Sequence, residues 1–527
     1  MLTLKILYMK KITLRKTLTL CALLLAGCTA NAQAPEIEWQ KTYGGTDHES
    51  GNDVKSTSDG GYIIAGYTKS ADGDITENKG GDDYWIIKTD NSGTVQWQKT
   101  FGGSGNDRAS SIVQTIDGGY IVAGYSNSNN GDVTGNHGAN DYWIVKLNSL
   151  GSLEWQKSFG GTLTEMALSI QQTSDSGYIV TGLSGSNNGD VSGNHATFPN
   201  VPDYWVIKLD ASGTLTWQKC LGGSVDDYSY CVKQTADGGY IVAGATQSLN
   251  GDISNNDGGE DAWIVKLNSA GNMEWEKTYG GSDTERVFWI VPTTDGGYIA
   301  TGWARSVDGD VVGNHGNFDY WVIKIDSSGN LQWQKTIGGT SDDVASNIVQ
   351  VADGGYVVTG YSNSTDGDML GNNGSYDSFL FKLTSAGEIL WQKHIGTANS
   401  EDLLVLEPTT DGGYIATGSS YSDTGDNIDS EGNVWIVKLA PDVTTATQDI
   451  SKNTLTLYPN PNNGTFTIGG AIVLDNAMLN VYSTLGQLVY SGNVPQATVS
   501  LPNLAAGVYQ VQLTSGKINY SQKIVIE

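Results

Sequence analysis

Seven tryptophans, Trp39, Trp97, Trp155, Trp217, Trp275, Trp333 and Trp391, each open the motif W-[QE]-K, and their spacings are 58, 58, 62, 58, 58 and 58 residues. A period this long and strict marks repeated supersecondary units, none of which can bury its apolar face without its neighbours. The Asp of a D-[GS]-G-Y turn keeps the same rhythm at Asp59, Asp117, Asp175, Asp237, Asp295, Asp353 and Asp411. The four extra residues of the third interval fall within Ala196 to Pro202 and lengthen one loop.

Each unit reads as four short strands. In the second, Ser110–Thr115, Tyr120–Tyr125, Asp141–Leu147 and Leu153–Phe159 alternate apolar and polar residues between Gly, Asn and Asp turns, and no stretch keeps a helical period. The 69 glycines suit a chain full of such turns. Seven four-stranded units predict an all-β fold with a seven-bladed β-propeller over 35–440. Glu36 to Trp39 is a fourth strand with no unit before it, while the last unit stops at Trp435 to Leu439 without one. The N-terminal strand is therefore expected to complete the last blade and remove an open edge.

A second tryptophan column, Trp85, Trp143, Trp205, Trp263, Trp321 and Trp435 with Phe379 in the remaining unit, sits in the third strands. Residues that recur in every blade are read as packing, because identical blades need identical contacts. If the strands run a to d outward from the channel, the a–b and c–d turns share one face and the long b–c and d–a loops the other. The long-loop face carries two acidic columns: Glu49, Asp107, Glu165, Asp227, Glu285, Asp343 and Glu401, then the G-D aspartates Asp74, Asp132, Asp190, Asp252, Asp310, Asp368 and Asp426. Their recurrence favours carboxylates that accept backbone N–H bonds. The alternative is calcium held by closely spaced oxygens, as in Asp72, Asp74, Asn78 and Asp83. His137, His195 and His315 share a loop column but belong to separate blades, which suits exposed loop residues better than zinc.

A ligand site normally breaks a ring's symmetry. The two tryptophans outside the columns, Trp289 and Trp303, both fall in unit five, where a turn centred near Gly296 sets them roughly opposite one another. Of the three arginines beyond residue 34, Arg108, Arg286 and Arg305, two flank these tryptophans, and Tyr228 and Tyr230 stand at the matching entrance of unit four. Aromatic planes with guanidinium groups suit stacking on a sugar ring or gripping a peptide carboxylate, so these seven residues are the candidate ligand site.

Residues 1–34 hold five cations, no acid and a short apolar run from Leu18 to Ala26, the pattern of a secretory signal peptide. Ala30-Asn31-Ala32 offers a signal peptidase exit and Leu25-Ala26-Gly27-Cys28 a lipidation exit. From about 452 the chain turns nearly neutral, after a linker at 441–451. The runs Leu457-Tyr458-Pro459-Asn460-Pro461-Asn462-Asn463-Gly464-Thr465-Phe466, Leu479 to Gln487, Leu504 to Tyr509 and Lys523 to Ile526 together resemble the type A sorting domain of the type IX secretion system. The resemblance implies a small β-sandwich over 452–527, an origin in the Bacteroidota, the type IX secretion machinery as partner, and release or anchoring at the outer cell surface. It favours the soluble exit over a lipoprotein through Cys28.

Residues 35–451 carry −34, once the five leader cations and the three cations and two acids from 452 onward are taken from the chain's 29 basic and 57 acidic side chains. Such a charge disfavours nucleic acid as a partner, which needs clustered Lys and Arg. No transmembrane segment is expected in the mature chain. No nucleophile elbow, P-loop, Rossmann glycine pattern or zinc-protease helix is present. Paired carboxylates for glycoside hydrolysis and a purely structural surface protein remain as rivals to a binding module. Cys220 and Cys231 lie on the last strand of one blade and the first of the next, and export permits a disulfide between them.

Overall fold

The computed structural model describes residues 33–372, 375–421, 432–442, 456–469, 477–483, 487–494, 497–501, 503–515 and 518–527. Residues 1–32 of the expected leader, Cys28 among them, the G-D residue Asp426, and residues 443–451 of the expected linker lie outside these. The chain divides into two compact units, one holding the described residues up to 442 and the other those from 456. Every element among the described residues is a strand.

The first unit is a ring of seven four-stranded antiparallel sheets. After β1 (Ile37–Tyr43), blade one comprises β2 (Glu49–Ser56), β3 (Tyr62–Thr68), β4 (Asp83–Thr89) and β5 (Val95–Phe101); blade two repeats it as β6 (Asp107–Gln114), β7 (Tyr120–Ser126), β8 (Asp141–Leu147) and β9 (Leu153–Phe159). Blade seven has three strands of its own, Glu401–Pro408, Tyr414–Ser420 and Asn433–Leu439, and β1 pairs antiparallel with the last, Thr42 opposite Trp435. The N-terminal strand thus closes the ring, as expected.

The D-G-G turn shows how sequence fixes each hairpin. Gly60 takes a φ of +85°, open to glycine at little cost, while the Asp59 carboxylate accepts the Gly61 N–H at 3.1 Å and the Thr57 hydroxyl at 2.5 Å. The same Asp in every blade pairs with a third-strand lysine: Lys88–Asp59, Lys146–Asp117, Lys208–Asp175, Lys266–Asp237, Lys324–Asp295, Lys382–Asp353 and Lys438–Asp411, all at 2.9–3.0 Å. The lysines are almost wholly buried while the aspartates are half or more exposed, so each turn is tied to its own sheet by an ion pair open to solvent on the carboxylate side.

Both tryptophan columns are packing, as read from their recurrence. Each third-strand indole from Trp85 to Trp321 donates its N–H to the Gln or Glu that follows the outer-strand Trp, as Trp143 does to Gln156 at 2.8 Å. The second position of W-[QE]-K is therefore an acceptor for the neighbouring column. The outer-strand Trp packs on the next blade, Trp97 lying 5.8 Å from Tyr120. Third-strand tyrosines pin blade to blade: the Tyr84 hydroxyl donates to the Trp143 carbonyl, Tyr142 to Trp205 and Tyr204 to Trp263, at 2.8–2.9 Å.

The second unit is a small β-sandwich. One sheet joins Thr456–Tyr458, Thr465–Gly469 and Thr498–Ser500, and the other joins Leu488–Asn493, Met478–Ser483, Gly507–Ser515 and Ile518–Ile526 in that order. Leu457, Phe466, Ile468, Leu479, Val481, Val511, Leu513 and Ile524 fill the space between them. The P-N-P-N run fastens the closing strand: Asn460 accepts the Val525 N–H at 2.7 Å and donates to the Lys523 carbonyl, while the Asn462 and Glu527 backbones are joined at 2.8 Å.

Candidate functional site at the ring axis

The first strand of every blade carries the same irregularity. Pairing with the second strand slips by one residue after the third position, as between Gly51 and Asp53 in β2, leaving one residue outside the ladder. Such a bulge bends the strand and re-aims a side chain. The seven bulged residues are Asn52, Ser110, Leu168, Tyr230, Phe288, Ser346 and Leu404, and all seven wall one cavity of about 400 Å³. Tyr67, Arg108, Tyr125, Trp289 and Val405 complete it. A cavity to which every blade contributes lies on the ring axis.

Trp289 forms its floor. The Lys233 ammonium of blade four sits 4.4 Å from the indole and that of Lys55, from blade one, 5.7 Å away. Groups from blades on opposite sides of the ring reach one indole only if it lies across the axis. Lys55 is held there by Asp53 at 2.8 Å and Glu407 at 2.7 Å.

Arg108, Tyr67 and Tyr125 sit nearer the long loops. The Arg108 guanidinium lies 4.4 Å over the Tyr67 ring and is paired with the buried Asp82 at 2.6 Å. Arg108 and Tyr125 are cross-strand partners in β6 and β7. Around the same rim, Arg286 is paired with Glu260 at 2.8 Å, donates to the Tyr230 hydroxyl at 3.3 Å, and faces the rings of Trp303 and Tyr228 at 5.5 and 5.8 Å. Trp303 packs on Phe318 at 4.4 Å. Arg305, half exposed, has its guanidinium 5.9 Å from the Phe318 ring and its Nε 3.5 Å from Asp283. Burial pushes Tyr228 and Tyr230 up to about 12, so both phenols stay neutral.

Of the seven residues marked in the sequence, Arg108, Tyr230 and Trp289 line the cavity, while Tyr228, Arg286, Trp303 and Arg305 form a rim cluster. Trp289 and Trp303 are not opposite one another. The turn centres on Asp295 rather than near Gly296 and the bulge takes up a further residue, so Trp289 faces Thr301 and Trp303 faces Arg286. One is floor and the other rim. Tyr67, Tyr125, Phe288, Leu168 and Leu404 went unmarked: the fourth position of the first strand varies from blade to blade, but so do the third and the fifth, so variation alone does not point to it.

The acidic columns are spent on backbone. All seven first-strand acids accept a loop N–H at 2.7–2.9 Å, as Asp107 does from Gly103. The six described G-D aspartates accept the N–H of the glycine that precedes each blade, at 3.0–3.4 Å. The alternative calcium loop is likewise committed: Asp72 accepts from Thr46, Asp74 from Gly44 and Asp83 from the Lys79 N–H, while the Asn78 amide donates to Thr68 and Gly81. Among the described residues no three His, Cys, Asp or Glu side chains form a group able to hold a metal ion. His137, His195 and His315 are not free loop residues, since each bonds the aspartate opening its third strand: Asp141, Asp203 and Asp319, at 2.7–2.9 Å. Cys220 and Cys231 are buried free thiols.

The chain is 20% identical over 303 residues to regulatory protein FlaEY of Caulobacter vibrioides, covering 52% of this chain and 31% of that one. Among solved structures it is similar to PorZ, a bacterial surface component of the type-IX secretion system of Porphyromonas gingivalis, at 12% identity and a TM-score of 0.37 over 90% of this chain and 59% of PorZ. It is similar also to puromycin hydrolase, at 11% identity and a TM-score of 0.42 over 81% of this chain and 61% of that one. It therefore spans about a third of the curated relative and under two thirds of either solved chain. Residues 456–527 match the secretion system C-terminal sorting domain, so the β-sandwich unit is the export signal of a type IX secretion cargo.

Proposed function

We propose that the ring is an exported binding module that takes its ligand, a glycan or a peptide, into the axial cavity from the long-loop face. The sorting domain then delivers it to the outer cell surface or the medium of a member of the Bacteroidota, after a signal peptidase removes a soluble-type leader. One observation carries this reading: where the blades repeat their packing residues closely, the seven bulges that wall the cavity hold Asn, Ser, Leu, Tyr, Phe, Ser and Leu. A structural ring has no need to vary the column facing its axis while keeping its packing columns. The paired-carboxylate hydrolase is less well supported, since the cavity wall is made of Arg, Asn, Ser, Tyr, Phe, Trp, Leu and Val.

Glycan-array and peptide-library binding by the wild type and by Arg108→Ala and Trp289→Ala variants tests it. Retained folding with loss of the wild-type ligand in both variants is expected. A ligand held equally by both variants places the site elsewhere, and a wild type that binds nothing returns the ring to a structural role.

A further inference from the structure

We infer that the cavity takes the end of a neutral glycan, a step that rests on the axial cavity being the binding site. Charge excludes the other occupants in turn. A peptide C-terminus or an acidic sugar needs an unpaired cation, yet Arg108, the guanidinium in the wall, is already bonded to Asp82 through Nε and Nη2 at 2.6 Å. On the rim, Arg286 is paired with Glu260 in the same way. A cationic side chain would approach the fixed guanidinium of Arg108 and a floor whose indole already carries the ammonium groups of Lys233 and Lys55. Neither lysine lines the cavity, so the one charged side chain in its wall is the Arg108 guanidinium that Asp82 neutralises.

What the wall offers is hydroxyl groups and aromatic planes. The side chains of Tyr67, Tyr125 and Ser110 make no hydrogen bond within the described residues, so three hydroxyls stand ready as both donors and acceptors on the side of blades one and two. Across the axis, Phe288 and Trp289 of blade five give an apolar surface, and Leu168 of blade three and Leu404 of blade seven flank the hydroxyls on either side. A pyranose has this division, with hydroxyls at its edges and a C–H face that stacks on aromatic rings. At about 400 Å³, near the lower end for ligand sites, the cavity fits the terminal one or two rings of a chain and leaves the rest on the rim.

The test is calorimetric titration of the full chain with cellotriose, maltotriose, mannotriose and chitotriose, set against sialyllactose, trigalacturonate and the peptide Gly-Gly-Phe. At least one neutral trisaccharide is expected to bind, about tenfold more weakly in Tyr125→Phe, which loses one hydroxyl, and not at all in Leu168→Trp, which fills the cavity. Circular dichroism and thermal unfolding check that both variants are folded, and the conservative Tyr125→Phe keeps the test valid if Leu168→Trp is not. An anionic sugar or the peptide bound with the same dependence on Tyr125 and Leu168 overturns the neutral-glycan assignment and leaves the binding site standing. If no probe binds, or binding is indifferent to both substitutions, both readings fall.

Discussion

At the scale of single residues, the seams between blades are held by glycines whose reason is electrostatic as much as conformational. A Cβ on Gly102 would stand 2.2 Å from Asp83 Oδ1 and 2.7 Å from Asp107 Oδ2, both on fully buried carboxylates. The glycine lets two acids from adjacent blades close on one backbone segment, and its N–H is donated to Asp132. Gly102→Ala must push aside groups already engaged by backbone, so we expect it to lower stability by about 1–3 kcal/mol. Chemical denaturation checks this, and a change within ~0.5 kcal/mol would mean that the seam relaxes freely. The sequence shows these glycines and acids as columns because every seam repeats the contact. It does not show that they face one another, since the two acids are separated along the chain by a whole outer strand.

At the scale of elements, what repeats was legible and what departs from the ladder was not. Strands, turns and ring closure follow from alternation, D-G-G chemistry and an unpaired first strand, all of them local signals. The bulge has no such signal: it inserts a residue in mid-strand without a turn former, so Phe288 and Leu168 read as ordinary strand residues. Centring the turn near Gly296 instead of on Asp295 sets Trp289 against Trp303, and the bulge shifts the partner of Trp303 by one residue more, from Val287 to Arg286. Ring closure supplies the test at this scale. β1 gives blade seven its fourth strand, and its Trp39 lies 6.0 Å from Tyr62 of blade one. Removing residues up to Tyr43 exposes the edge of Asn433–Leu439 and parts two blades, so the truncated chain should melt at least 10 °C lower and self-associate through the open edge. Calorimetry and size-exclusion chromatography read both effects, and an unshifted, monomeric truncation would show that the last blade stands without its closing strand.

At the scale of the whole molecule, the acid surplus resolves into two populations with opposite pH behaviour. Burial pushes the seam acids up, Asp83, Asp141, Asp261 and Asp319 to about 6 and Asp227 to about 7. Each binds its proton more tightly folded than unfolded, so its stabilising share is complete below about 4 and is lost as pH rises through 6 to 7. The turn acids behave the other way. Although burial opposes it, the Thr57 hydroxyl and the Lys88 ammonium hold Asp59 at about 2, and the equivalent contacts do so for Asp117, Asp175, Asp237, Asp295 and Asp411. Their share is present above about 4 and is lost as pH falls toward 2. The ring should therefore be most stable near pH 4, with denaturation midpoints falling as pH drops toward about 2 and as it rises toward about 7. Asp227→Asn separates the populations. It weakens a site that receives the Gly223 N–H and the Thr246 and Ser248 hydroxyls, lowering stability at pH 5, yet it removes the seam acid with the highest pKa of the five and so shrinks the loss between pH 5 and pH 8. A stability that climbs steadily to pH 8, or an Asp227→Asn variant whose pH profile runs parallel to the wild type, would mean that the seams hold their carboxylates ionised.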